Sequence, residues 1–269
     1  VLIEKPLAVT IKDAEVIIEV CKAAGVKLYS GSTYRGLTAV RKAREIIQAG
    51  GIGEVSLCTE FAIGGSGFDS FEDMGSHHYP QGGPGGHGMG IVDHGIHLVD
   101  IFSWLLGSEV NSVYGRGNIS GATPSSEYLV MNFANGAVGQ LIANGISFPA
   151  SLPGEGIFSW GGSWSADGEL IMQGGWDSHP GSFQIYGSAG SLNVFYYAEQ
   201  LFQINSSGTT PIPLDSRPMP GNFALQMESF AHSVSNNLPA EVPGEVGLRA
   251  LRVLLAAYES HQSGRLVQV

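Results

Sequence analysis

Residues 53–63 read GEVSLCTEFAI, and here the hydrophobic period of the chain changes. Val55, Leu57, Phe61 and Ile63 alternate at a spacing of two, the period of a half-buried strand. Upstream, apolar residues recur at helical spacing between short strands. Val1–Ile3 is a first short strand, and Thr10 with Asp13 marks a helix N-cap and a first-turn acid. Ala14, Ile17, Cys21 and Ala24 follow on one helical face, and Gly25 closes the helix. Val26–Tyr29 is a second strand. Leu37, Val40, Ala43 and Ile47 then line a second helix that stops at Gly50-Gly51. Strand–helix–strand–helix is α/β grammar and predicts that the two short strands are parallel.

Downstream of Ile63, alternation dominates. Strands are expected at Ser112–Gly117, Tyr128–Phe133, Ala137–Ile146, Phe183–Tyr186, Leu192–Tyr197 and Leu201–Ile204, with Gly187-Ser188-Ala189-Gly190 as a hairpin turn. Strands joined by turns imply a mostly antiparallel sheet. One helix, Asp93–Leu106, interrupts the series and ends at Gly107. Pro153–Gly175, rich in Gly, Ser and Trp, reads as a long surface loop. Two helices finish the chain, one marked by Phe223, Met227, Phe230 and Val234. The other is marked by Leu248, Leu251, Leu255 and Tyr258 and capped by Gly264. The expected class is α/β in the mixed α+β sense: a short parallel sheet, then a large, mostly antiparallel open sheet with helices on one face.

Composition narrows the function. The 269 residues are 43% hydrophobic, enough for one large domain or two small ones. The formal net charge is −11 with only 13 Lys plus Arg and no basic cluster, which argues against nucleic acid. No apolar run reaches the roughly 18 residues that span a bilayer, and no signal peptide is visible, so a cytoplasmic location is expected. The two cysteines, Cys21 and Cys58, are too few for a disulfide framework and read as buried thiols.

The stretch Gly82–Asp100, GGPGGHGMGIVDHGIHLVD, carries the chemistry. It places Asp93 and His97 four residues apart, on one helical face, behind a glycine-rich loop that lets a ligand approach the backbone. A carboxylate beside an imidazole can move a proton near neutral pH. His78, Tyr79 and His87 precede that helix and are candidates for a substrate pocket. Glu4-Lys5-Pro6 stands near the start, and Pro6 restricts Lys5 to an extended backbone. Asp177 and His179 are weaker candidates. Trp160, Trp164 and Trp176 either stack on a sugar ring or bury apolar surface. Plainer alternatives stand beside these readings: a satisfied helix histidine, a first-turn acid, a surface lysine. A metal site is another, since His77, His78, His87, Asp93, His94 and His97 crowd into 21 positions; their spacing matches no zinc signature, and no metal is assigned.

Taken in order, EKPLA at Glu4–Ala8, YR at Tyr34–Arg35, AVRKAREIIQAGGIGEV at Ala39–Val55, GMGIVDHGIHLVDIFSWLLG at Gly88–Gly107 and the ending GLRALRVLLAAYESHQSGRLVQV resemble the Gfo/Idh/MocA family of nicotinamide-dependent oxidoreductases. The resemblance implies a Rossmann domain that holds NAD or NADP, followed by an α/β domain whose open sheet face often packs on another subunit. Residues 1–33 would then be the C-terminal remnant of the Rossmann domain, and residues 34–269 the substrate-binding and oligomerisation domain. The glycine fingerprint for the pyrophosphate is expected upstream, since no G-x-G-x-x-G follows an N-terminal strand here. The resemblance implies catalytic roles for Lys5, Asp93 and His97, with His97 as acid/base. It implies cofactor contacts from Glu4, Lys5, Pro6, Tyr34 and Arg35, and substrate contacts from His78, Tyr79, His87, Asp93 and His97. Ser32 and Thr33 depart from what the family more often carries beside Tyr34 and Arg35. The implied substrate is a sugar, polyol or related hydroxy compound, and the implied partner is a further copy of the chain, packed through the open sheet face. A ligand-binding or assembly module without catalysis is the competing reading.

Overall fold

The computed structural model describes residues 1–63, 94–117, 126–144, 162–164, 170–172, 182–196, 198–215 and 221–269. Strand β1 (Leu2–Ile3) runs parallel to β2 (Tyr29–Ser30), with Leu2 opposite Tyr29. Helix α1 (Ile11–Ala23) makes the crossover. The Thr10 side chain accepts from the Asp13 amide at 3.1 Å, and Gly25 takes a left-handed φ of 65° just past the helix end. These are the stop and start signals read from the sequence.

Helix α2 (Thr38–Gln48) turns Ala39, Val40 and Ala43 inward. Its first amides, on Thr38 and Ala39, donate to the Glu199 carboxylate at 3.0 and 2.7 Å, so a distant acid supplies the cap that no local side chain offers. Strand β3 (Val55–Ile63) follows, then helix α3 (Gly95–Leu106), which ends on Gly107 at φ 57°. The remaining strands are β4 (Val110–Gly117), β5 (Ser126–Phe133), β6 (Val138–Asn144), β7 (Gly162–Trp164), β8 (Leu170–Met172), β9 (Ser182–Gly187), β10 (Gly190–Phe195), β11 (Gln200–Asn205) and β12 (Gly208–Pro211). Helices α4 (Gly221–Ser235) and α5 (Gly244–Ser263) and the short β13 (Val267–Gln268) complete the chain.

Nine of these strands form one sheet in the order β12-β11-β10-β9-β3-β6-β5-β4-β13. Every neighbouring pair is antiparallel except β3 with β6. The helices cover one face. Leu98, Ile101 and Phe102 of α3 are fully buried against Leu129, Met131, Leu141 and Phe183 of the sheet. Each such side chain contributes roughly 1.5–3 kcal/mol relative to exposure. A second, smaller core joins Leu7, Ala14 and Leu28 to Leu251 of α5.

One expectation is corrected, and two faces that the periodicity left open are assigned. Leu57 and Phe61 of β3 are half-buried on the open face, whereas the helix side carries Cys58 and Glu60, at 0% and 2% exposure. The apolar alternation therefore marks the uncovered face, which also presents Tyr128, Tyr186 and Ile204. Three of the four apolar marks of α4 also point outward, while Phe230 packs edge-on against Tyr29. Phe223, Met227 and Val234 are exposed, while Asn222, Gln226 and Ser233 are buried. The reason is what the helix packs on. Gln226 Nε2 donates to Glu4 at 2.9 Å, and the Asn222 backbone lies where a side chain on Gly36 would fall, so this side of the helix packs on the Glu4 carboxylate and the turn. Finally, the 153–175 segment is not loop throughout, because β7 and β8 pair antiparallel within it.

Candidate active site

The site grows from the carboxyl ends of β1 and β2, where ligands of open α/β sheets collect. The chain leaves β1 through Glu4 and Lys5, and the Lys5–Pro6 peptide is cis. It leaves β2 through Gly31 and Ser32 into a single 3-10 turn, Thr33–Gly36. Gly31 is required by close approach, since a Cβ there would stand 2.6 Å from Glu4 Oε2 and 2.9 Å from Glu4 Cα. Helix α3 adds His94, His97 and Asp100 from its start. A small cleft opens among these elements, lined by Lys5, Ser30, Ser32, His97 and Asp100, with Val246 and Gly247 of α5 along it.

Asp100 anchors one side. It accepts from Arg35 Nε at 2.9 Å and Nη2 at 2.5 Å, and Ser32 Oγ donates to the same carboxylate. Arg35 and Asp100 are buried, so this is a desolvated bidentate pair. The Arg35 guanidinium also lies 5.0 Å from the Trp104 ring centre, and Arg44 lies 4.4 Å from it.

Tyr34, the residue before Arg35, lies flat on the His97 ring, with centroids 4.2 Å apart and planes 4° apart. His97 titrates well below the ordinary histidine value of 6.5. Burial is the main cause, followed by the positive charge of Lys5 and then His94. His97 is therefore neutral at pH 7. Behind Tyr34, one oxygen of the buried Glu60 accepts from the Tyr196 hydroxyl at 2.6 Å and contacts His94 Nε2 at 2.8 Å.

Lys5 and His97 thus share one cleft. Glu4 and Pro6 flank it, Tyr34 packs on His97, and Arg35 is turned into the protein against Asp100. Asp93, His77, His78, Tyr79, His87, Asp177, His179, Trp160 and Trp176 lie outside the described residues, and of Trp164 only the backbone, in β7, is described. Among the described residues no group of three His, Cys, Asp or Glu side chains is placed to hold a metal ion, and no helix is long and apolar enough to cross a membrane. Ser32, Asp100, Glu60, Tyr196 and the role of His94 beside Glu60 were absent from the sequence-based site. Asp100 carried a usable signal, three residues after His97 on the same helical side. Glu60 carried a weaker one, an acid in phase with the buried Cys58.

Residues 44–269 match the family model described as the oxidoreductase family, C-terminal alpha/beta domain (GFO_IDH_MocA_C). The chain belongs to the Gfo/Idh/MocA oxidoreductase family. Among curated relatives, it is 30% identical over 126 residues to 2,7-anhydro-N-acetylneuraminate hydratase of Escherichia coli, a match that covers 46% of this chain and 32% of that protein. It is 24% identical to the D-xylose 1-dehydrogenase [NADP(+)] of Haloarcula marismortui, over 100% of this chain and 68% of the relative. Among solved structures, an Agrobacterium radiobacter oxidoreductase in complex with NAD+, L-tartaric acid and magnesium superposes with a TM-score of 0.73 at 18% identity. That match covers 99% of this chain and 72% of the other. The Gfo/Idh/MocA fold accounts for the small parallel sheet, the large open sheet and the cleft between them.

Proposed function

We propose that this chain supplies the substrate side of an NAD(P)-dependent dehydrogenase that acts on a sugar or polyol. The observation that carries this reading is the pairing of Lys5 and neutral His97 in one cleft at the carboxyl ends of two parallel strands. The cleft sets an ammonium beside an imidazole, a pairing that fits a hydroxylated substrate held next to the reactive end of a nicotinamide nucleotide. When bound, the nicotinamide takes up or returns the hydride of the carbinol carbon. Residues 1–33 are assigned to the nucleotide side, and residues 34–269 to the substrate and assembly side.

The chain's own residues handle the proton. As hydride leaves the carbinol carbon, the hydroxyl proton passes to a ring nitrogen of His97, which is free to take it because burial and Lys5 keep the ring neutral. The Lys5 ammonium stabilises the negative charge that grows on the oxygen. Asp93, four residues before His97 in the sequence, is assigned to orient the imidazole or to hold a substrate hydroxyl. The open sheet face, with Leu57, Phe61, Tyr128 and Tyr186 uncovered, is assigned to self-association.

The test is a screen of aldoses and polyols with NAD and NADP, read by nicotinamide absorbance and by product mass. Mass separates net oxidation from a hydratase-type outcome, the activity named for the Escherichia coli relative. His97→Ala is expected to lower kcat by about 10²–10⁴-fold, with cofactor affinity within a few fold of wild type. Unchanged turnover in that variant removes His97 from the mechanism.

A further inference from the structure

The Glu60–His94 pair has no part in the proton transfer above, yet the fold takes trouble to build it. Glu60 is 2% exposed on the helix-covered face of β3. A carboxylate is placed there only where partners replace its water. Two do so on one oxygen: the Tyr196 hydroxyl at 2.6 Å and His94 Nε2 at 2.8 Å. His94 Nδ1 stands 3.5 Å from the Tyr34 hydroxyl. Tyr34 leans on Tyr196, with centroids 5.2 Å apart, and its other neighbour is His97, stacked within 4°. Side chains from β3, from the end of β10, from the 3-10 turn and from α3 therefore converge on the ring that covers His97.

We propose that Glu60, His94 and Tyr196 form a buried brace that fixes the plane of Tyr34 and, through that ring, the heading of the His97 imidazole in the cleft. Glu60 and His94 are positioning residues in this arrangement. Glu60 acts on His94 by accepting its Nε2 proton, which leaves Nδ1 to meet the Tyr34 hydroxyl. Tyr34 acts on His97 through ring contact, which blocks rotation out of the stacked plane. The charged and titratable groups around the brace are Glu60 from β3, Tyr196 after β10, Tyr34 from the turn, His97 from the helix that follows His94, and Lys5, which shares the cleft with His97. His94 is also among the groups that hold His97 below its ordinary value, after burial and Lys5.

The effect on turnover rests on His97 being the acid/base residue; the effect on the ring does not. The experiment therefore has two arms, both on the full chain. In the first, histidine-labelled protein is titrated by NMR without substrate, comparing wild type with Glu60→Gln, His94→Gln and Tyr34→Phe. Tyr34→Phe keeps the ring and removes only the hydroxyl, so it serves where Glu60→Gln does not fold. The His97 ring signals and their titration are expected to move in Glu60→Gln and Tyr34→Phe, and less in His94→Gln, which retains a donor toward Glu60. His97 signals unmoved in folded Tyr34→Phe and His94→Gln overturn the brace. In the second arm, kcat is expected to fall about 10–100-fold, the scale of a misplaced reacting group, with KM within about threefold. Wild-type kcat in folded His94→Ala and Tyr34→Phe overturns the link to catalysis. If wild type turns over no aldose or polyol, the dehydrogenase reading fails while the NMR arm still decides the brace.

Discussion

Asp100→Asn removes one charge from the anchor of the site and leaves almost the same volume, so no cavity complicates the outcome. Arg35 remains, with its guanidinium charged and 7% exposed. In the wild type it places two hydrogen bonds on Asp100, at 2.9 and 2.5 Å. An amide replaces the carboxylate with a single acceptor oxygen and no charge. Breaking a buried pair in this way costs about 3–5 kcal/mol, because a desolvated cation is left uncompensated. For a chain of this size, each kcal/mol lowers Tm by about 2–4 °C, so a drop on the order of 10 °C is expected. The double variant Arg35→Met/Asp100→Leu removes both charges and should recover most of the loss. Stacking of Arg35 on Trp104 is lost in the double variant and caps that recovery. The assay is thermal unfolding followed by circular dichroism, with wild type, Asp100→Asn, Asp100→Leu, Arg35→Met and the double variant at one pH and salt. A Tm drop below about 2 °C in Asp100→Asn, or a double variant worse than the sum of the singles, would refute the reasoning.

Other outcomes follow from the same geometry. His97 is held below its ordinary value near 6.5, so on acidification the unfolded chain takes up that proton before the folded one does. Stability should therefore fall as pH drops below about 6.5 and be insensitive to this group above it. His97→Gln should flatten the slope of Tm against pH in that window, and equal slopes in the two proteins would count against the burial of the ring. Burial pushes the Cys58 thiol up to about 12, so it should stay silent to a thiol reagent at pH 8 in the folded protein and react in denaturant. Rapid loss of both thiols in native buffer would contradict its place in the core. Gly31→Ala should cost about 1–3 kcal/mol and displace Glu4 and Lys5, because the new Cβ falls 2.6 Å from Glu4 Oε2. Unchanged stability, measured by urea unfolding, would mean that the crossover yields freely.

What could be read in the sequence was local chemistry. Thr10, Gly25, Gly107 and Gly264 mark helix ends because each boundary is decided within a few residues. Lys5 and His97 were reached through motif order, and the fold brings them to one cleft. What escaped depended on distance along the chain. Ser32 meets Asp100 across 68 positions, and Glu60 meets His94 across 34, and no local spacing announces either contact. Likewise the helical period of Phe223, Met227 and Val234 was visible, but not which side of α4 faces inward. Glu4 and the Gly36 backbone decide that, from the other end of the sequence. For β3 the alternation was read correctly as a strand, yet the acid at Glu60 shows that its greasier side is the uncovered one.

The single parallel contact in the large sheet bears on how the molecule assembles in time. The blocks β9–β12 and β4–β6 can each zip up from neighbouring hairpins. Strand β3 cannot, because its partners on β6 and β9 stand about 80 and about 130 positions further along. It is the stitch between two locally formed halves, and seating it closes long loops on both of its sides. Until β3 is seated, Glu60 has no His94 to meet and the two halves keep unpaired edges, which can recruit strands from another chain. The strand that joins these two halves is thus also the one that completes the polar wall behind the cleft, so that wall should form late in folding, after most of the secondary structure.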